Sequence, residues 1–166
     1  MPKQGDYSIK KVKSPVGELL LVAGTAGLAA VLWSRNSPRA RNAKENLKHP
    51  ILLKTEKQLA EYFAGKRKIF DIELEIGQVG TAFQKKVWRA LLEIPFGETK
   101  SYAEIARRIG NAKSSRAVGA AIGRNPIAIV VPCHRVIGAS GRLTGFAGGL
   151  SAKKLLLELE NKRTCE

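Results

Sequence analysis

The hydrophobic pattern of this chain changes its period near residue 80, and a chain built that way folds as two small units of different class. Before that point, Tyr7 to Val12, Glu18 to Ala23 and Leu28 to Trp33 are short runs rich in Val, Ile and Leu, separated by Ser14-Pro15-Val16-Gly17 and Gly24-Thr25-Ala26-Gly27. They predict a three-stranded antiparallel meander. Asn36 to Asn46 is polar and poorly periodic, whereas Ile51, Leu52, Thr55, Leu59, Tyr62 and Phe63 recur at helical spacing with Gly65 as a stop. That is one amphipathic helix. After Ile69 to Ile76, the stretch Gly77 to Gly80 reads as a joint, so the domains are expected to be residues 1–79 and 80–166, and the class α+β.

The second half is helical in pattern. Thr81 to Glu93 places Phe83, Val87, Trp88, Leu91 and Leu92 on one face and is stopped by Pro95. Ser101-Tyr102-Ala103-Glu104 has the form of a capping box, predicting a helix to about Ile109. Gly110-Asn111-Ala112-Lys113 then makes a short turn, and Ser114 or Ser115 can cap a third helix ending at Gly123 or Arg124. Two short helices joined by a Gly-containing turn, the second bearing Arg116 and Arg124, suggest a helix-turn-helix. Ala117, Gly119, Ala120 and Ala121 line that second helix. Such small residues permit either tight packing against another helix or a shallow approach to a nucleic-acid groove.

Charge bears on the partner. The 166 residues carry 29 Lys and Arg against 14 Asp and Glu, a formal charge of +15, on 44% hydrophobic residues that exclude wholesale disorder. Between Thr99 and Arg142 eight basic residues stand against Glu104 alone, which favours a polyanion, nucleic acid first, over a merely solvated basic face. The longest apolar stretch, Leu19 to Trp33, is broken by Gly24, Thr25 and Gly27, so no membrane span is expected. Met1 to Lys13 lacks the apolar core of a secretory signal. The two cysteines, Cys133 and Cys165, form no CxxC and no Cys/His ligand spacing, so neither a metal site nor a disulfide framework is expected and a cytoplasmic location fits. Cys165 reads as an incidental tail thiol.

Ile127 to Val131 is a continuous apolar run delivering the chain into Pro132-Cys133-His134-Arg135. A cysteine alone is a small hydrophobe. Here an imidazole that can hold a proton and a guanidinium that favours thiolate follow it directly, which makes Cys133 a candidate nucleophile. If the run is a strand, Cys133 and His134 share a pocket only where Pro132 breaks the extended geometry. Thr144 to Gly149 is a flexible loop whose Phe146 can stack on a planar ligand. The last helix, Ser151 to about Asn161, turns Leu155, Leu156 and Leu159 inward and brings Glu160, either a partner for an imidazole or one more acid on a solvated helix end.

At Arg116-Ala117-Val118-Gly119, Asn125-Pro126, Ile129 to Val136 and Thr144 to Gly149 the sequence resembles the O6-alkylguanine-DNA alkyltransferase family, and Lys100 to Leu143 fits it without gaps. The resemblance implies a ribonuclease H-like N-terminal domain and a mainly helical, winged-helix-like C-terminal domain. It implies stoichiometric transfer of an alkyl group from O6-alkylguanine, and from O4-alkylthymine, in double-stranded DNA to Cys133, by a monomer without metal or cofactor. By the same resemblance His134 is the general base through a bound water, Glu160 orients it, and Asn125 braces the active-site turn. Arg116 replaces the extruded nucleotide in the stack, and Tyr102 crowds its phosphate and donates to N3 of guanine. The Ala147 amide faces O6, the carbonyls of Cys133 and Val136 face the exocyclic amine, and Phe146 packs the base. Ala117, Gly119, Ala120, Arg124 and Arg135 complete the expected DNA-binding set. Phe146-Ala147 stands where many members have Tyr followed by Ala or Ser, so one hydroxyl is absent. A DNA-binding regulator that keeps Cys133 only for packing, and a cysteine hydrolase using Cys133, His134 and Glu160, are the competing readings.

Overall fold

The computed structural model describes residues 6–164, and Cys165 lies outside them. Two compact units divide between Gln78 and Val79. In the first, β1 (Ser8–Val12), β2 (Leu19–Ala23) and β3 (Leu28–Leu32) pair antiparallel, with Lys10 opposite Leu21 and Leu21 opposite Val31. This is the expected meander. A fourth strand, β4 (Lys44–Glu45), runs parallel to β1 at the sheet edge, giving the order β3-β2-β1-β4. It lies in the stretch read as polar and aperiodic, because two residues pairing on one side need no apolar alternation. A four-residue helix, α1 (Pro38–Arg41), precedes it, with the Ser37 hydroxyl accepting from the Ala40 amide at 3.2 Å.

All five residues of the central strand β2 are buried, since elements cover both faces. Ile9, Leu20, Val22, Ala29, Ala30, Ala40 and Ala43 form one hydrophobic cluster. The helix α2 (Pro50–Phe63) packs against the sheet and buries Leu52, Thr55, Gln58, Leu59 and Tyr62. Gln58 breaks the apolar pattern and is satisfied there, donating to the Asp71 carbonyl at 3.0 Å and accepting from its amide at 2.8 Å. Ile69 to Ile76 is not a full strand: its ladder is one bridge, Leu28 to Leu74.

The second unit opens with α3 (Ala82–Leu92), whose capping box joins Thr81 and Gln84. Gly80 has φ +83°, and a Cβ there would stand 2.6 Å from the Trp88 ring, so glycine is required before this helix. Trp88 is buried and donates its indole N–H to the Ala121 carbonyl at 2.8 Å. That bond ties α3 to α5 (Ser115–Gly123). Between them lies α4 (Tyr102–Arg108), where Ser101 Oγ accepts from the Glu104 amide at 3.1 Å and Glu104 accepts from the Ser101 amide at 2.7 Å. Ser114 occupies the cap position of α5 without capping it: its hydroxyl donates instead to the Asn111 carbonyl at 2.6 Å. Packing of α4 against α5 gives the helix-turn-helix.

A short parallel ladder joins β5 (Lys100–Ser101) to β6 (Val136–Ile137), pairing Lys100 with Val136 and Ser101 with Ile137. It sets the first residue of α4, Tyr102, beside the Cys133 segment. The chain ends in α6 (Leu150–Thr164), whose fully buried positions are Ala152, Lys153, Leu156 and Glu160, with Leu155 and Leu159 only half-buried. The inward face of this helix therefore carries two charged residues beside Ala152 and Leu156, and of the three leucines expected inward Leu156 alone is fully buried. Among the described residues no helix is long and apolar enough to cross a membrane. Ser101→Ala should cost about 0.5–2 kcal/mol by removing one half of the capping box. The check is a lower urea midpoint at unchanged slope, and an unmoved midpoint would refute it.

Candidate active site

The run Ile127 to Val131 is not a strand. It is buried throughout and folds as consecutive turns, and the Asn125 side chain supplies the hydrogen bonds a neighbouring strand would have supplied. Its amide donates to the Val131 carbonyl at 3.0 Å and its oxygen accepts from the Ile127 amide at 3.0 Å. Within this brace Ile129 holds φ +72°, a left-handed conformation that costs a β-branched residue about 1–3 kcal/mol.

Pro132 then makes an inverse γ-turn, with φ −81° and ψ 64°, in which the Cys133 amide donates to the Val131 carbonyl at 2.8 Å. It leads into one turn of 3-10 helix, Cys133–Arg135, so the three side chains leave a single tight coil. Cys133 is buried and free, and burial pushes its thiol pKa up. The Asn125 side chain and the Lys153 charge oppose that shift.

His134 is fully buried, with Nε2 2.8 Å from Glu160 Oε1. A carboxylate accepts, so Nε2 carries the proton and Nδ1 holds the free lone pair; Nδ1 is buried and makes no hydrogen bond among the described residues. Burial pushes the His134 pKa down, against the opposing pull of Glu160, which keeps the ring neutral near pH 7. Glu160 is 1% exposed. Burial by itself would raise its carboxyl, but the hydrogen bonds and charges of His134 and Arg135 outweigh it and hold the pKa at about 2.

Arg135 overturns an expectation. It is buried, not on a DNA-facing surface: Nε donates to Glu160 Oε2 at 2.9 Å, Nη2 to Oε1 at 2.9 Å, and Nη1 to the Ile94 carbonyl at 2.7 Å. A guanidinium committed to a buried carboxylate and a carbonyl has no free edge for a phosphate. Nor is Arg135 the cation whose charge acts on the thiol. That place belongs to Lys153, 1% exposed, which donates to the Val136 carbonyl at 2.7 Å and to the Thr144 carbonyl at 3.2 Å. Burial lowers the Lys153 pKa while the Cys133 charge raises it. Lys153 escaped the sequence reading because a lysine on a terminal helix reads as solvated. The available signal was its seven-residue spacing from Glu160, which puts both on one helix face.

Tyr102 is half-buried and its hydroxyl is hydrogen-bonded to Thr144 Oγ1. Gly119 is half-buried against it, since a Cβ there would lie 3.7 Å from the Tyr102 ring. Arg116, Ala117 and Ala120 are exposed on α5 and Arg124 is exposed just after it, whereas Val118, Ala121 and Ile122 are buried. The small residues thus serve both of their possible uses: Gly119 and Ala121 pack against neighbours, and Ala117 and Ala120 leave a shallow open face. Phe146 is half-buried and Ala147 exposed in the loop after β6, and the Val136 carbonyl is already held by Lys153 with a second lone pair to spare.

These features define a protein with a buried Cys-His-Glu constellation beside a helix-turn-helix. Residues 9–76 match the family model described as 6-O-methylguanine DNA methyltransferase, ribonuclease-like domain, and residues 82–162 match its DNA binding domain. The methylated-DNA--protein-cysteine methyltransferase of Methanosarcina acetivorans is 50% identical over 149 residues, covering 89% of this chain and 94% of that protein. The chain is also similar to the crystal structure of the Mycobacterium tuberculosis O6-methylguanine methyltransferase, with TM-score 0.85 and 46% identity over 95% of this chain and 94% of that one. The structure of the M. tuberculosis protein in complex with DNA matches with TM-score 0.81 and 47% identity, covering 95% and 93%. The chain belongs to the 6-O-methylguanine DNA methyltransferase family.

Arg135→Met should destabilise the protein by about 3–5 kcal/mol near pH 7, because it strips the buried carboxylate of its main partner. The deficit should shrink on acidification: a carboxyl held at about 2 contributes stability that is complete above its ordinary 4.5 and is lost as pH falls towards 2. Urea unfolding of both proteins at pH 7 and pH 3 tests this. An equal gap at both values would mean that Arg135 acts through packing alone.

Proposed function

We propose that this protein repairs O6-alkylguanine in double-stranded DNA by transferring the alkyl group irreversibly to Cys133, once per molecule. One observation carries the reading: in a chain of this family, a free cysteine stands directly before a histidine whose Nε2 is bound by a buried carboxylate. A thiol raised by burial is a poor nucleophile until a base takes its proton. His134, neutral and with Nδ1 as its basic nitrogen, takes it through one bridging water, and the resulting imidazolium is stabilised by Glu160.

The thiolate attacks the alkyl carbon. The sulfur–carbon bond forms as the carbon–O6 bond breaks, its electron pair withdrawing into the purine. Tyr102 donates a proton to N3, so that guanine leaves neutral. The carbonyls of Cys133 and Val136 accept from the exocyclic amine, and the amide of Ala147, an exposed residue, faces O6. Phe146 packs the base without offering it a hydroxyl. O4-alkylthymine presents the same aryl ether to the same thiolate and is a second substrate.

A base in the duplex stack is out of reach of a buried thiol, so the nucleotide swings out, at a cost of about a few kcal/mol. Arg116, exposed at the start of α5, enters the vacated stack, while Ala117, Gly119, Ala120 and Arg124 lie along the groove. Asn125 holds the turn that aims Cys133. Residues 80–166 bind DNA and accept the alkyl group, and residues 1–79 support them. The protein acts as a monomer in the cytoplasm, where a reducing environment keeps Cys133 a thiol.

DNA carrying a labelled O6-methyl group should pass one label per protein to Cys133, seen as a permanent mass increment on the peptide containing it; label left on the DNA, or continued turnover, would sink the proposal. Arg116→Ala should slow transfer from duplex DNA at least about tenfold while leaving transfer from a free O6-alkylated base near wild type, a stack-filling role being needed only in the duplex. Equal losses on both substrates would remove that role.

A further inference from the structure

Thr144 is gripped at two points. Its carbonyl accepts from the buried Lys153 ammonium, which also holds the Val136 carbonyl next to the Cys133 turn, and its hydroxyl is bonded to that of Tyr102. Tyr102 directly follows the β5–β6 ladder, which holds Lys100 and Ser101, and Gly119 lies beside its ring. The loop that would cover the base and the helix that carries Tyr102 are therefore joined through one threonine. A side chain at the neighbouring Gly145 would point into open space.

Proton accounting gives this hydroxyl pair a direction. A phenol and an alcohol each have one proton to donate and two lone pairs. If Tyr102 is to give its proton to N3 of the leaving guanine, it cannot also give it to Thr144. The Thr144 O–H must then point at the Tyr102 oxygen. An O–H accepting in this way is a stronger donor through its own proton, because hydrogen bonds in a chain polarise one another.

We infer that Thr144 is a positioning residue for alkyl transfer, its hydroxyl donating to the Tyr102 oxygen so that the Tyr102 proton is aimed at, and more readily given to, N3 of the departing base. The inference rests on the alkyl-transfer reading above. As the carbon–O6 pair retreats into the purine, N3 takes the Tyr102 proton. The phenolate so formed is held by the Thr144 hydrogen bond until it recovers a proton from water. The thiol proton taken by His134 returns to solvent, leaving a thioether and neutral guanine.

Single-turnover transfer from O6-methylguanine duplex DNA tests it in the full chain. At saturating DNA, Thr144→Val should slow the transfer step about 3- to 10-fold, the worth of one neutral hydrogen bond, with DNA affinity within about twofold of wild type. Thr144→Ser should restore the rate. In a Tyr102→Phe background, Thr144→Val should slow transfer no further, since the two act as one unit. Wild-type speed in Thr144→Val, equal slowing in both backgrounds, or no rescue by serine would each overturn the inference while wild-type transfer stands. Absence of transfer by the wild-type protein would instead remove the alkyl-transfer reading, and this inference with it.

Discussion

A carboxylate with 1% of its surface exposed must be paired, because an isolated buried charge costs several kcal/mol, and the pairing of Glu160 organises the C-terminal unit's chemistry. Arg135 meets it through two nitrogens and His134 through Nε2. The same bonds dictate three further things. The imidazole proton is on Nε2, which leaves Nδ1 basic. The 3-10 coil from Cys133 to Arg135 is locked to α6. Arg135 is withdrawn from any surface role, and through Ile94 it ties the chain after α3 to the site.

The second constraint is in the backbone. Asn125 stands in for a missing strand neighbour, satisfying polar groups of a wholly buried apolar turn, and Ile129 accepts a left-handed conformation as the cost. Such strain persists where the surroundings over-determine it, here between the end of α5 and Pro132. One consequence is that Cys133 and α5 are rigidly related across a short connection: α5 ends at Gly123, the brace starts at Asn125, and the 3-10 coil begins at Cys133.

Much of this was legible in the residues. The meander, the helix ending at Phe63, the capping box at Ser101 and the helix-turn-helix each follow from local periodicity and cap chemistry, which act over a few residues. Cys133 and His134 were legible as adjacent groups of complementary chemistry, and Glu160 gained its role from resemblance. What escaped was decided across long separations. Arg135 next to a cysteine reads as its cation, but Glu160, 25 residues on, captures it. Lys153 had only its helical spacing from Glu160 to mark it, since a lysine is ordinarily solvated, and Thr144 carries no local signature, since a threonine in a glycine-rich loop is ordinarily a turn residue.

The amino-acid sequence by itself determined the three-stranded meander, the main helices, their order and the candidate reacting groups, because these depend on propensity, spacing and side-chain chemistry within a few residues of each other. The tertiary structure alone decided which cation faces Cys133 and which serves Glu160, which nitrogen of His134 is basic, and that Ile127 to Val131 turns instead of extending. Those outcomes depend on which buried polar groups find partners, and partners are assigned only when distant parts of the chain are packed together.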